Sequence, residues 1–247
     1  MFKPRILIST LVLTLAFPIS TALAHQPVAI TSSHTSASKG PILVDGTISF
    51  ALRASFSKAK QGRGFRASLK AGELLNFEYL IIDQAPENKL PLSKLPVVTI
   101  TAPNGSKSIV KFTERTKFYE PYGRTNYLYL ARFSSTAIDG IYNFSIRSKG
   151  RANITVATGS KETFGVVYEP ATCPTVERMA LPVITNAQAA TLVGMKKDDA
   201  ISCISSMQGI HRIAQEDDQD FALTRDYRVD RVDLTIRKGI VTKTTVG

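Results

Sequence analysis

Between Gly40 and Tyr168 apolar and polar residues alternate with a period of two, the pattern of an extended strand with one buried face. Leu75, Phe77, Tyr79 and Ile81 alternate with Asn76 and Glu78; Tyr142, Phe144 and Ile146 with Asn143, Ser145 and Arg147; Ile154 and Val156 with Asn153 and Thr155. Further runs cover Thr47–Phe56, Phe65–Leu69, Val97–Thr101, Ile109–Thr113, Tyr127–Phe133 and Phe164–Tyr168. Turn signals at Ala71-Gly72, Pro103-Asn104-Gly105 and Asp139-Gly140 separate them. Eight or nine short antiparallel strands are predicted, folded as an all-β sandwich or jelly roll over residues 40–169. Asn104, Asn143 and Asn153 fit the glycosylation triplet but are read as turn and strand residues.

Residues 1–24 read as a secretory signal peptide. Lys3 and Arg5 precede the apolar run Ile6 to Phe17, and Ala22-Leu23-Ala24 is a small-x-small cleavage site. Cleavage after Ala24 predicts a secreted or periplasmic protein beginning at His25. No cysteine lies at the cleavage site, so no lipid anchor is expected. Residues 25–39, rich in Ser, Thr and Ala without an apolar period, read as a flexible arm. An N-terminal histidine chelates copper only with a second well-placed histidine. Besides His25 the chain has only His34 and His211, so neither a metal nor another cofactor is expected.

Charge divides the chain. Residues 25–172 hold 19 lysines and arginines against 10 acids, whereas residues 173–247 hold 10 of each. The basic excess suits an anionic partner such as envelope polysaccharide, lipid head groups or nucleic acid, with a solvated basic surface as the plain alternative. No specific nucleic-acid recognition is expected. Pro170, Pro174 and Pro182 interrupt an aperiodic stretch, and residues 170–186 read as a linker between two domains. The two cysteines, Cys173 and Cys203, are a candidate disulfide in an oxidising compartment. Buried thiols are the alternative.

Residues 187–247 predict a small α+β domain. Ile201, Ile204 and Met207 lie at helical spacing between Lys197 and Gln208, with Asp198 and Asp199 at the positive end and Gly209 as the stop. Strands follow at Ile210–Ala214, Arg231–Ile236 and Ile240–Thr244, with an acidic loop at 216–220. No serine motif at a strand-to-helix turn, Gly-rich phosphate loop or zinc spacing occurs, so an enzyme is not expected.

Two resemblances bear on function. Ala71-Gly72-Glu73, the Pro-Asn-Gly turn and Asp139-Gly140-Ile141-Tyr142 resemble elements of the pre-peptidase C-terminal type of sandwich, over about half of the first segment. The chain from Leu192 to Gly247 resembles the bacterial and fungal elastase-inhibitor type of peptidase inhibitor, whose fold is related to potato inhibitor I and eglin. Leu192-Val193-Gly194 matches the triplet before the helix, and Asp226-Tyr227-Arg228-Val229-Asp230-Arg231 matches the family's Asp-Tyr-Arg-Pro-Asp-Arg with valine for proline. Val246-Gly247 matches the eglin end, and the late cysteine of the elastase-inhibitor type is absent.

The resemblance implies a reactive-site loop of Thr224, Arg225, Asp226 and Tyr227, with Arg225 in the protease's primary pocket and the Arg225–Asp226 bond presented for cleavage. It implies loop support from Arg228 and Arg231. Asp233 stands where eglin has a second supporting arginine. The expected function is therefore inhibition of a serine endopeptidase, trypsin-like because an arginine suits a pocket with a carboxylate at its base. The alternative is an envelope- or polysaccharide-binding sandwich whose second domain is only a scaffold.

Overall fold

Alternation over the first part of the chain builds two sheets that share one core. The computed structural model describes residues 25–174 and 182–247. The expected signal peptide, and residues 175–181 of the expected linker, lie outside the described residues. The first part contains β1 (Gln26–Ile30), β2 (Ile42–Leu43), β3 (Phe50–Phe56), β4 (Gly62–Leu69), β5 (Leu74–Ile82), β6 (Val97–Thr101), β7 (Lys107–Ile109), β8 (Thr116–Glu120), β9 (Thr125–Thr136), β10 (Gly140–Arg147), β11 (Ala152–Thr158) and β12 (Val167–Tyr168).

One six-stranded sheet runs β1-β3-β11-β5-β9-β8 and the other β12-β2-β4-β10-β6-β7. Both are mixed: β1 pairs parallel to β3, and β2 parallel to β4. Phe50, Phe77, Leu130 and Val156 of the first sheet meet Phe65, Phe144, Val98 and Ile100 of the second in one apolar cluster. The Phe65 and Phe144 rings stack at 4.3 Å. Aromatics of this size supply most of the burial that holds two sheets face to face.

Several expectations are corrected. Residues 25–39 are not a free arm. Residues 26–30 form β1 on the edge of β3, Gln26 exchanges side-chain hydrogen bonds with both main-chain groups of Gly165, and His34 is buried. Polar spacing hid this strand because only one of its residues, Ile30, is fully buried. Strand β8 was missed for a similar reason, since none of its residues is buried. The expected strand Ile109–Thr113 ends at Ile109, and Phe164–Tyr168 shrinks to β12. The second half of the expected linker is also structured: Ile184 is buried, and Thr185 and Gln188 form a capping box that opens a short helix.

The C-terminal part contains α1 (Asn186–Thr191), α2 (Lys197–Ser206), β13 (Ile210–Glu216), β14 (Gln219–Asp220), β15 (Arg231–Arg237) and β16 (Ile240–Val246). Its sheet runs β14-β13-β15-β16, with β13 and β15 parallel. Helix α2 lays Ala200, Cys203 and Ile204 on Val232, Leu234 and Ile236 to form a separate apolar cluster. The left-handed residue that ends α2 is Gln208 (φ 62°), not Gly209. Gly209 is required for space, because a Cβ there would meet Ile184 and the main-chain oxygen of Asp230. Cys173 and Cys203 form a disulfide. Helix α1 packs on both parts: Ala187 and Ala190 form a small cluster of their own with Ile42 of β2, while Ala189 belongs to the C-terminal core.

Candidate functional site: a braced exposed loop

Parallel pairing of β13 and β15 forces the chain to return along the sheet before it can re-enter. The turn at Asp217-Asp218 begins that return, and Phe221 N donates to Ala214 O. Residues 221–230 then need only reach from beside Ala214 to the start of β15, where Arg231 pairs with Ile210. That is about 13 Å of strand plus about 10 Å sideways, against a reach of about 33 Å for a chain of this length. The surplus makes the segment stand off the sheet, and every residue from Phe221 to Val229 is exposed.

Exposure alone leaves a loop floppy; here it is tied at both flanks of Arg225. Arg231, the first residue of β15, is only 6% exposed. Its Nη2 donates to the main-chain oxygen of Asp226 (2.6 Å), its Nη1 to Asp226 Oδ2 (3.0 Å) and its Nε to the main-chain oxygen of Gly247 (2.7 Å). On the other flank Arg212 of β13 donates from Nη1 to Thr224 Oγ1 (2.8 Å). Arg212 is itself held by a two-pronged pair to Asp233, Nε to Oδ1 at 2.7 Å and Nη2 to Oδ2 at 2.6 Å. Asp233 Oδ1 also lies 3.8 Å from Arg231 Nε. Thr224, Arg212, Asp233, Arg231 and Asp226 thus make a continuous polar chain beneath Arg225. Forked guanidinium–carboxylate pairs are directional and short, which suits them to fix a backbone.

Arg225 lies outside this network. Among the described residues the ion pairs in and under the loop are Arg212–Asp233, Arg228–Asp230, Arg231–Asp226 and the longer Arg231–Asp233, and Arg225 is in none of them. Tyr227 is 73% exposed, with its ring edge against Gly247. The carbonyl of Val229 accepts from Ile184 N (2.8 Å) and that of Asp230 from Ile210 N (2.8 Å), which pins the exit of the loop. The Asp226 carboxyl is held down to about 2 by the Thr224 hydroxyl beside it and by the Arg231 guanidinium. Hydrogen bonding from Arg228 likewise lowers Asp230, and hydrogen bonding to Asp233 raises Arg212.

The structure therefore brings together Thr224, Asp226 and Arg231 around Arg225, while Tyr227 extends the same exposed strip. Arg228, expected to support the loop, makes no hydrogen bond to residues 224–226. Its Nε and Nη2 bond to Asp230, two residues on, and shape the turn into β15. Arg212 is the residue that sequence reasoning missed. Its only trace in the sequence is Asp233, a carboxylate whose charge calls for a cation on the neighbouring strand. His25 and His34 serve separate contacts, with Ser49 and Glu169 respectively.

No family model matches the chain. No curated protein sequence is significantly similar to it.

Proposed function

We propose that the chain is a secreted inhibitor of serine endopeptidases that presents residues 224–227 as a substrate and is directed at a trypsin-like enzyme. The observation that carries this reading is the polar chain from Thr224 through Arg212, Asp233 and Arg231 to Asp226, which anchors both neighbours of an exposed Arg225 that has no ion-pair partner among the described residues. A strip held this way loses little conformational entropy on binding, so more of the contact energy appears as affinity. Its backbone is unpaired with the sheet and open to pairing with an enzyme's edge strand, and the Arg225 side chain, at a bend, suits a pocket with a carboxylate at its base. After cleavage of the Arg225–Asp226 bond, Thr224 and Asp226 would stay tethered to the same network. The new amine would remain beside the acyl carbon, which favours re-forming the bond over release. In this reading residues 187–247 are an α+β inhibitor domain of the potato inhibitor I kind, and residues 40–169 are an all-β sandwich that carries it.

Titration of the purified protein against trypsin and subtilisin tests the reading. Inhibition of trypsin is expected, and Arg225→Ala is expected to weaken it by about a hundredfold or more, the equivalent of roughly 3 kcal/mol for a central anchoring residue. Arg225→Leu should move preference toward subtilisin. Trypsin inhibition unchanged by Arg225→Ala would overturn the assignment of the loop.

A further inference from the structure

Two connections that both cross between the sheets carry four of the basic residues of the two-sheet part and no acid: residues 57–61 between β3 and β4, and residues 148–151 between β10 and β11. The two loops interlock. Lys60 N donates to Ser148 O (3.0 Å) and Ser148 N to Gln61 O (2.9 Å). Gln61 N donates to Ser148 Oγ (2.8 Å), and the Ser148 hydroxyl donates to Lys58 O (2.7 Å). Gln61 Oε1 accepts from Ser57 N (2.8 Å) and Lys58 N (3.2 Å), and Arg147 Nη1 donates to Lys60 O (2.9 Å). Ser148, at the centre, is 2% exposed.

On this frame Lys58, Lys60, Arg147, Lys149 and Arg151 are all exposed. No Asp or Glu occurs in residues 57–63 or 147–152. Lys60 has φ 67°, a left-handed conformation that costs a residue with a Cβ about 1 kcal/mol and that glycine or asparagine adopts more easily. Beneath the loops Arg63 is 7% exposed. Its guanidinium bonds to the main-chain oxygens of Gly62 (2.7 Å) and Ser55 (3.3 Å) and lies over the Phe56 ring, and its Nε has no partner. A buried cation facing only neutral acceptors is costly in isolation and adds to the potential above it. Glu87, reached through Asn153 on β11, is buried and takes its hydrogen bond from Asn153 (2.6 Å).

We infer that these interlocked loops form a binding site for an anionic polysaccharide, a sugar polymer bearing carboxylate or sulfate groups. The cations stand on an interlocked main-chain frame and make no ion pair among the described residues, as a polyanion site requires. The loops contain no exposed large apolar side chain to insert between lipids and no aromatic on which bases could stack, so a ligand that keeps its charges in water fits best. The site is remote in sequence from residues 221–230 and stands whether or not that loop inhibits a protease.

Binding of the full chain to heparin, to alginate, to phosphatidylglycerol vesicles and to a 20-bp DNA duplex, measured across a salt series, tests the inference. The full chain is expected to bind at least one glycan more tightly than vesicles or duplex. Replacing Lys58, Lys149 and Arg151 together by Gln should weaken that binding by about tenfold or more and flatten the salt slope by about three, one for each cation removed. A control with Lys94, Lys107 and Lys117 replaced by Gln carries the same net charge and should stay within about twofold of the parent, as its cations lie outside the site. Equal weakening in both triple variants, tighter binding to vesicles or duplex, or failure to bind either glycan at low salt would overturn the inference. Unchanged far-ultraviolet circular dichroism of the variants separates lost contacts from lost folding.

Discussion

The Asp226 side chain is about half exposed, 52% by area, yet its carboxyl is held at about 2 by the Thr224 hydroxyl and the Arg231 guanidinium. A folded-state value below the ordinary 3.8 means that deprotonation is coupled to loop order. The contribution is complete above the ordinary value and is lost as pH falls through the folded one. Loop order should therefore be constant at neutral pH and decline between about pH 4 and pH 2. An NMR titration of the Asp226 carboxyl carbon and the Arg231 guanidinium protons checks this. Both should move together with a midpoint near 2, and Asp226→Asn should abolish the transition at Arg231. Arg228 shows why residue type alone misleads: it carries the same guanidinium as Arg231 and is nearer to Asp226 in sequence, but Asp230 lies within its reach and takes both of its hydrogen bonds.

At the scale of elements, the site depends on parallel register. Arg212 and Asp233 are directly paired between β13 and β15, so the fork between them is set by sheet geometry and carries the loop's first flank. Asp233→Asn and Arg212→Ala should each raise the rate at which a target protease cleaves the Arg225–Asp226 bond, by about tenfold for loss of one strong charged hydrogen bond. The two changes combined should cost little more than either alone, because they break one path. Product analysis over a timed incubation measures this. Helix α2 is anchored separately, through the Cys173–Cys203 bridge, whose ends lie 30 residues apart. Replacing both cysteines by Ala should lower stability by about 3 to 4 kcal/mol in the chain-entropy account, read from urea unfolding.

At the scale of the whole molecule, α1 bridges the two parts of the chain, through a small cluster with Ile42 on one side and Ala189 in the C-terminal core on the other. Arg66 of β4 is 3% exposed and donates from Nη1 to Ala190 O at the end of α1 (2.7 Å), while Asn186 Nδ2 reaches Asp139 Oδ2 (3.3 Å). Burial pushes the Arg66 guanidinium down to about 10, so it is still charged at neutral pH and needs its carbonyl partners. Arg66→Ala should loosen this joint more than either core. In scanning calorimetry one transition for the parent protein is expected to become two for the variant, and a single transition at lower temperature would count against α1 as the coupling element.

Local pattern accounts for much of what was legible. Alternation marks the strands that bury one face, such as β5, β10 and β11, because side-chain direction along a strand follows from the backbone of that strand alone. Helix α2 was likewise readable from neighbouring residues, whereas the projecting loop at Arg225 was expected from the resemblance to the elastase-inhibitor type. Edge strands β1 and β8 were not, since an edge can be paired without being buried and then leaves no apolar period. Nor was Arg212, 12 residues before Thr224 and 21 before Asp233, because no local signal states which residues face each other across two parallel strands. Local sequence determined where helix α2 and the half-buried strands form. Tertiary structure alone decided that the loop is braced from two sides, since that requires strand pairing over long separations, and pairing is chosen by the packing of the entire sheet.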